Sequence, residues 1–287
     1  MSVVLQCPVK INLTLRILAK RADGYHDLYS LLWKKYSKER LTISPKYAEI
    51  IGDLLEVRGL EIKGENLVTK ALAAARRIVA GIPALAMELD KKYPAGSGIG
   101  AGSGNAAALL SWLSETFSVS LSPQETGRLG ADVVFLAQKY EMAEASGIGE
   151  RLSPYLRVPR MSWLLVFPSW ASDTKEAYAA LDETRQKGYS PLTRAQAADE
   201  AGACAALLYK GERAGLLPND FYPLLAEKHH EYGAAEGIAE ESGALGWGLC
   251  GSGSAFFALY ADHGEALRAA AERFTRENWV IKTDSLE

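Results

Sequence analysis

From Val9 the chain alternates cleanly: Val9, Ile11, Leu13, Leu15 and Ile17 against Lys10, Asn12, Thr14 and Arg16. A period of two predicts a strand with one apolar face, and it sets Lys10 and Asn12 together on the other. Residues 28–33 and 41–44 read as two further strands, with Lys34, Lys35 and Lys38 between them. Residues 46–64 fit no period. Glu65 and Asn66 then cap a helix over 67–80, with Leu67, Ala71, Leu72, Ala75 and Val79 on one face and Gly81 as the stop. Leu85, Met87 and Leu89 alternate with Ala86, Glu88 and Asp90, another strand, and 106–113 is helix-forming by propensity.

Ser122-Pro123-Gln124-Glu125 is a capping box with proline at the first helical position, opening a helix that should reach about Leu129. Residues 130–136 are apolar except for Asp132, and a carboxylate so placed needs partners. It reads either as a cap for the next helix or as a catalytic acid. A boundary near Ser153-Pro154 predicts two domains, 1–154 and 155–287. Beyond it come a buried strand over 163–167, helices over 193–209 and 223–241, a strand over 255–260, a helix over 264–277 and a strand over 279–281. Strands and helices alternating in both halves argue for an α+β or α/β protein.

Between the strand at 85–89 and the helix at 106–113 lies P-A-G-S-G-I-G-A-G-S-G-N, residues 94–105. Five glycines alternate there: Gly96, Gly98, Gly100, Gly102 and Gly104. A glycine run that enters a helix turns backbone N–H groups towards an anion, with the positive end of the helix dipole behind them. Polyphosphate is the natural ligand, and a flexible linker is the plainer alternative. The pattern G-x-x-x-x-G-K-[ST] is absent, because no lysine follows these glycines. G-x-G-x-x-A can be read from Gly96, Gly98 and Ala101, but any alternating glycine run contains it, and a dinucleotide fingerprint belongs to a first βαβ unit.

Composition narrows the setting. At 287 residues, 48% of them hydrophobic, the chain can bury two cores. A net charge of −3 offers no general footprint for nucleic acid, so an anionic ligand must be held locally. Cys7, Cys204 and Cys250 are odd in number and far apart, which fits neither a disulfide framework nor a zinc site and points to the cytoplasm. No secretory signal is read at residues 1–6, and no apolar run is long enough to span a membrane.

The string from Pro94 to Asn105 resembles the phosphate loop of the GHMP kinase superfamily, the small-molecule kinases of galactose, homoserine, mevalonate and their relatives. Its nearest form, P-x-G-x-G-x-G-G-G-S-S-N-A-A, is that of the branch acting on a cytidine diphosphate-linked methylerythritol in isoprenoid precursor synthesis. P-x-K-I-N-L around Lys10 and Asn12, followed by R-x-D-G-Y-H at residues 21–26, resembles the N-terminal pattern of the same branch. E-N-L-V-x-K-A at 65–71, G-A-D-V-x-F at 130–135 and G-S-G-S at 251–254 continue the likeness. A looser match joins 172–178 to a substrate-side S-T-x-x-x-Y segment and so implicates Thr174. Asn219-Asp220 resembles a family N-D-L/F stretch, whose plainer role is a turn and cap.

This resemblance implies an α+β protein: an N-terminal domain like the second domain of ribosomal protein S5, then a ferredoxin-like C-terminal domain. It implies ATP with Mg²⁺. The nucleotide would be held by Pro94, Gly96, Gly98, Gly100, Gly102, Ser103, Gly104 and Asn105, with Asn66 beside the adenine. Asn66 reads equally well as a plain N-cap. Ser103 is the one residue offered to the metal, through Mg-ATP. Lys10 and Asp132 would be catalytic, and Asn12, Tyr25, His26 and Thr174 would bind the acceptor. Neither nucleic acid nor membrane is implied as a partner, and a monomer and a homodimer stay open. A different GHMP kinase for mevalonate-type alcohols, or a nucleotide-binding protein with weak turnover, are the other readings. Three departures stand out. Ala101 replaces a glycine, which would cost roughly 1–2 kcal/mol if that backbone needs positive φ. Gly104 replaces a serine, and Val134 replaces a proline.

Overall fold

The computed structural model describes residues 2–45, 52–61, 64–261 and 264–282. Two long strands open the chain, β1 (Val3–Lys20) and β2 (His26–Pro45). Then follow β3 (Leu54–Gly59), α1 (Leu67–Ile78), β4 (Leu85–Lys91), α2 (Ala101–Phe117), α3 (Pro123–Leu129) and α4 (Ala131–Leu136). β5 (Met142–Gly147), β6 (Arg151–Pro154), β7 (Ser162–Phe167), α5 (Thr174–Gln186), α6 (Arg194–Tyr209) and β8 (Gly215–Leu216) come next. The chain finishes with α7 (Tyr222–Lys228), α8 (Glu231–Glu241), β9 (Gly246–Leu249), β10 (Phe256–Tyr260), α9 (Glu265–Arg276) and β11 (Val280–Lys282).

Most expected elements are present, and the differences have local causes. The strands expected at 28–33 and 41–44 are one strand, β2. Its basic stretch does not break it, because Lys34 is buried and donates to the carbonyls of Leu136 and Gln138. The helix expected over 223–241 is two helices, parted at His229, whose φ of −129° and ψ of 86° leave the helical region. Of the segment without a period, 54–59 is β3, while 46–51 and 62–63 lie outside the described residues.

By compactness the described residues form two interleaved units. One is drawn from Met1–Lys10, Lys34–Ala95 and Gly100–Lys139; the other from Ile11–Trp33, Gly96–Ile99 and Tyr140–Glu287. Both long strands therefore contribute to both units. In the first, Arg40–Pro45 of β2 runs antiparallel to β4, and β4 pairs in parallel with β3. Asn66 caps α1 by accepting from the Val68 N–H. α2 is buried along most of its length, from Gly104 to Leu110 and at Leu113.

A buried charge cluster ties this unit together. Glu39 of β2 is fully buried and accepts from the Lys91 ammonium through both oxygens, at 2.6 and 2.8 Å. It also accepts from the N–H groups of Lys92 and Tyr93 and from the Asn105 amide. Such a charge is tolerated only because its lone pairs are filled.

In the second unit, Leu28–Trp33 of β2 pairs antiparallel with β5, and β5 with β6. A separate sheet runs in the order β11-β7-β10-β9-β8, over a core that includes Leu164, Phe256, Tyr232 and Phe274. Arg16 of β1 makes a two-pronged contact with Glu200 and a third bond, of 2.6 Å, to Asp220.

Lys91→Met should destabilise the protein by about 3–5 kcal/mol, because it leaves the Glu39 charge buried without its cation. Urea unfolding measures this directly. A loss under about 1 kcal/mol would mean that the backbone and Asn105 donors alone hold the carboxylate.

Candidate active site

In the first unit the candidate residues converge on α2. Its N-cap, Gly100, sits at φ 68° and offers no side chain, so the first helical N–H groups stay open to an anion. The intrahelical ladder begins with the Gly104 N–H donating to the Gly100 carbonyl. Gly100 lies beside the acid: a Cβ there would stand 3.1 Å from Asp132 Oδ2. Lys10, nearly buried on β1, brings its ammonium to 3.7 Å from the same oxygen. Asp132 lies in the first turn of α4, behind Gly130, and its side chain is 37% exposed. A buried cation and a half-open carboxylate thus meet beside Gly100, the residue that opens α2. Gly130 stands at the N-cap of α4 without a side-chain cap bond, so Asp132, in the first turn, is not the cap residue.

Other candidates in this unit divide. Ser103 is half-buried in the first turn of α2. Gly102 is exposed there, and Pro94 enters the loop half-buried. Asn66 keeps the cap bond, yet its Nδ2 is buried and has no hydrogen-bond partner among the described residues. An orphaned donor of this kind suits an acceptor atom of a bound base. Asn105 instead turns inward: it is 1% exposed and its amide serves Glu39.

Gly104 is explained by space. A Cβ there would lie 1.7 Å from the Pro8 carbonyl oxygen, so α2 approaches β1 too closely for any side chain. Ala101 is the first residue of α2 and has no positive φ, so the cost anticipated for it does not arise. Val134 is buried inside α4. A cavity of about 470 Å³ in this unit is lined by Tyr36, Ser111, Glu115, Thr126 and Gln138 among others and contains none of the candidates.

In the second unit, Gly96–Ile99 pack against the second glycine loop, 250–254. Gly96 and Gly98 have φ of 71° and 79°, and a Cβ on Gly98 would meet the Cys250 carbonyl oxygen at 1.8 Å. The Ala255 N–H donates to the Ser97 carbonyl. Asn12 accepts from the Gly251 N–H and donates to the Ser30 hydroxyl, so it holds that loop in place. Asn219 donates to the carbonyls of Leu249 and Gly251 from the other side, which gives the N-D stretch its structural job. Thr174 and Ser252 share a hydrogen bond of 2.9 Å.

Tyr25 and His26 follow the turn at Gly24. Tyr25 is 62% exposed, while His26 is buried with Nε2 2.7 Å from Asp182 and its ring 5.3 Å from that of Tyr178. Thr174, Tyr178 and Asp182 recur every four residues along α5, one face of a helix. The family resemblance implicates Thr174 and ends at Tyr178, so Asp182 lies beyond its reach. The four-residue spacing was the available signal.

Comparison with known proteins now applies. Models of the GHMP kinase N terminal domain and GHMP kinase C terminal domain match residues 66–148 and 206–277. A curated 4-diphosphocytidyl-2-C-methyl-D-erythritol kinase of Symbiobacterium thermophilum is 31% identical across 97% of this chain and 99% of its own. The chain belongs to the GHMP kinase family. The same-named protein of Moorella thermoacetica is 35% identical over 92% of each chain. A solved 4-(cytidine 5′-diphospho)-2C-methyl-D-erythritol kinase superposes with a TM-score of 0.77 at 28% identity, over 99% of this chain and 98% of the other. Homoserine kinase from Cytophaga hutchinsonii, at 15% identity and TM-score 0.64, shares the fold. This GHMP kinase is thus an α+β small-molecule kinase, and family members draw their phosphoryl group from ATP. Among its described residues, no helix is long and apolar enough to cross a membrane.

Returning Gly104 to the family's serine should lower stability by more than about 2 kcal/mol, through overpacking against Pro8. Ala101→Gly should cost only about 0.5–1 kcal/mol, the ordinary helix penalty. Thermal unfolding of both variants separates a close backbone approach from a mere loss of hydroxyl.

Proposed function

We propose that this chain phosphorylates the 2-hydroxyl of 4-diphosphocytidyl-2-C-methyl-D-erythritol, using ATP and Mg²⁺, in the cytoplasm. The observation that carries the catalytic part is Asp132 Oδ2 held between Lys10 Nζ and the backbone of Gly100. Relatives bearing that substrate in their names support the acceptor. We also keep the family boundary, 1–154 and 155–287, as part of this reading.

Phosphoryl transfer needs positioning and charge neutralisation more than covalent chemistry. Bound ATP would supply the phosphoryl group, and Mg²⁺ bound with it would offset part of the phosphate charge, with Ser103 as the residue offered to it. The open N–H groups of α2 and the backbone of Gly96–Gly104 would hold the phosphates, with Ser103 adding a hydroxyl and Asn66 Nδ2 facing the adenine. Asp132 would accept the proton as the acceptor oxygen bonds to the γ-phosphorus and the bond from that phosphorus to the bridging oxygen breaks, leaving ADP. Lys10 orients that carboxylate and adds positive charge where negative charge develops. Because Lys10 and Asn12 are two apart on β1, their side chains leave the same face of the strand. Tyr25 and His26 would read the cytosine, and Thr174 the rest of the acceptor, with Asn12 serving through the loop it holds.

Asp132→Asn should lower kcat about 10²–10⁴-fold, the range for removing a positioned general base, with little change in acceptor KM. Lys10→Met should give a loss of the same kind. Near-normal turnover in both folded variants would move the chemistry elsewhere.

His26→Ala should raise KM for the cytidyl acceptor and leave KM for ATP nearly untouched. Methylerythritol phosphate and mevalonate should be poor acceptors, since a site built on hydrogen bonds to a base is left unpaired without one. Steady-state kinetics across the three alcohols decides it, and equal use of an acceptor without a base would return the chain to an unspecified GHMP kinase.

A further inference from the structure

Around His26 the structure holds a chain of charges. Lys20, at the end of β1, donates to Asp182 Oδ2, and Asp182 Oδ1 lies 2.7 Å from His26 Nε2. The turn 21–25 brings the two strand ends together, with the Arg21 N–H donating to the Tyr25 carbonyl. Tyr178, one helical turn before Asp182, lies tilted by 30° against the imidazole and rests edge-on to Phe221. The imidazole is therefore packed on one side and bonded at one nitrogen.

A carboxylate can only accept hydrogen bonds, so the proton between Asp182 and His26 sits on Nε2. Partial burial works against the ionised acid, but the hydrogen bonds from Lys20 and His26 prevail and hold Asp182 below the usual carboxylate range. A neutral imidazole carries one ring proton. With that proton on Nε2, Nδ1 is an acceptor.

We infer that Asp182 is a positioning residue that chooses the base: by fixing the proton of His26 on Nε2, it makes the site accept cytosine and refuse uracil. Cytosine presents an amino donor where uracil presents a carbonyl acceptor. An acceptor at Nδ1 therefore bonds the first and faces a lone pair on the second. This rests on the reading of His26 as a residue that contacts the base.

Asp182→Asn tests it, because Lys20 dictates how the amide turns. The ammonium needs an oxygen, so the amide oxygen faces Lys20 and the amide NH₂ faces His26. Nε2 must then accept, and the ring proton moves to Nδ1. The experiment has two arms. Nitrogen-15 NMR of the histidine rings, assigned with His26→Gln and recorded about two units above the ordinary imidazole pKa, reads the tautomer without substrate. Steady-state kinetics compares the cytidine-linked acceptor with its uridine-linked counterpart.

The wild type should show a protonated Nε2 and a strong cytidine preference. In Asp182→Asn the tautomer should invert, and the preference should fall roughly 10–100-fold, the worth of one mispaired hydrogen bond. The change should lie in acceptor KM, with KM for ATP unmoved, and Asp182→Glu should restore most of the preference. A wild-type ring protonated at Nδ1 overturns the inference, and so does a cytidine preference that survives Asp182→Asn. Equal wild-type activity on an acceptor without a base overturns the reading of His26 itself and takes this inference with it.

Discussion

Glu39 is the constraint on which the rest of the first unit depends. Its carboxylate receives the last residue of β4, the two backbone N–H groups that follow, and an amide from the first turns of α2. Those partners stand on either side of the glycine loop. Within the loop Ser97 and Ile99 are buried, but its glycines bring no side chains to pack and lose the most conformational freedom on ordering. Anchoring both flanks to one buried acid limits that entropy to the residues between Tyr93 and Asn105. The arrangement also accounts for Asn105, a residue with a phosphate-loop address whose side chain serves the scaffold.

With its flanks fixed, the loop can expose backbone where a phosphate would need it. Gly100 carries the chain through a left-handed conformation into α2 without a capping side chain, and that leaves amide donors unspent. Gly104 lets the same helix lie against Pro8, two residues before Lys10. The distance from Lys10 to Asp132 is thus set by backbone packing on both sides. A serine in place of Gly104 would change where the lysine stands before it changed any contact with nucleotide.

What could be read from sequence follows from the range of each interaction. The meeting of Lys10 with Asp132 beside Gly100 was legible because each lies in a short string that the family resemblance covers. The capping boxes at Ser122 and Thr193 close over four residues, and the first was legible for that reason. Glu39 was not, since its partners lie more than fifty positions away and no spacing rule joins them. Asp182 stayed hidden because it meets His26 only after α5 packs near the β1–β2 turn. The break at His229 was missed because it involves no glycine or proline, the residues that usually mark such a break. The long β2 reads as two strands because Lys34, a buried lysine with carbonyl partners, resembles a loop residue until those partners are known.

The regular face of α5 has a consequence for molecular length. Thr174 is bonded to Ser252 at one end, and Asp182 holds His26 at the other. Eight residues of helix separate them, a rise of about 12 Å. A helix does not stretch, so α5 fixes the distance between the second glycine loop and His26. On the proposed reading of His26, an acceptor gripped there by its base would present its far end at a fixed distance from Ser252.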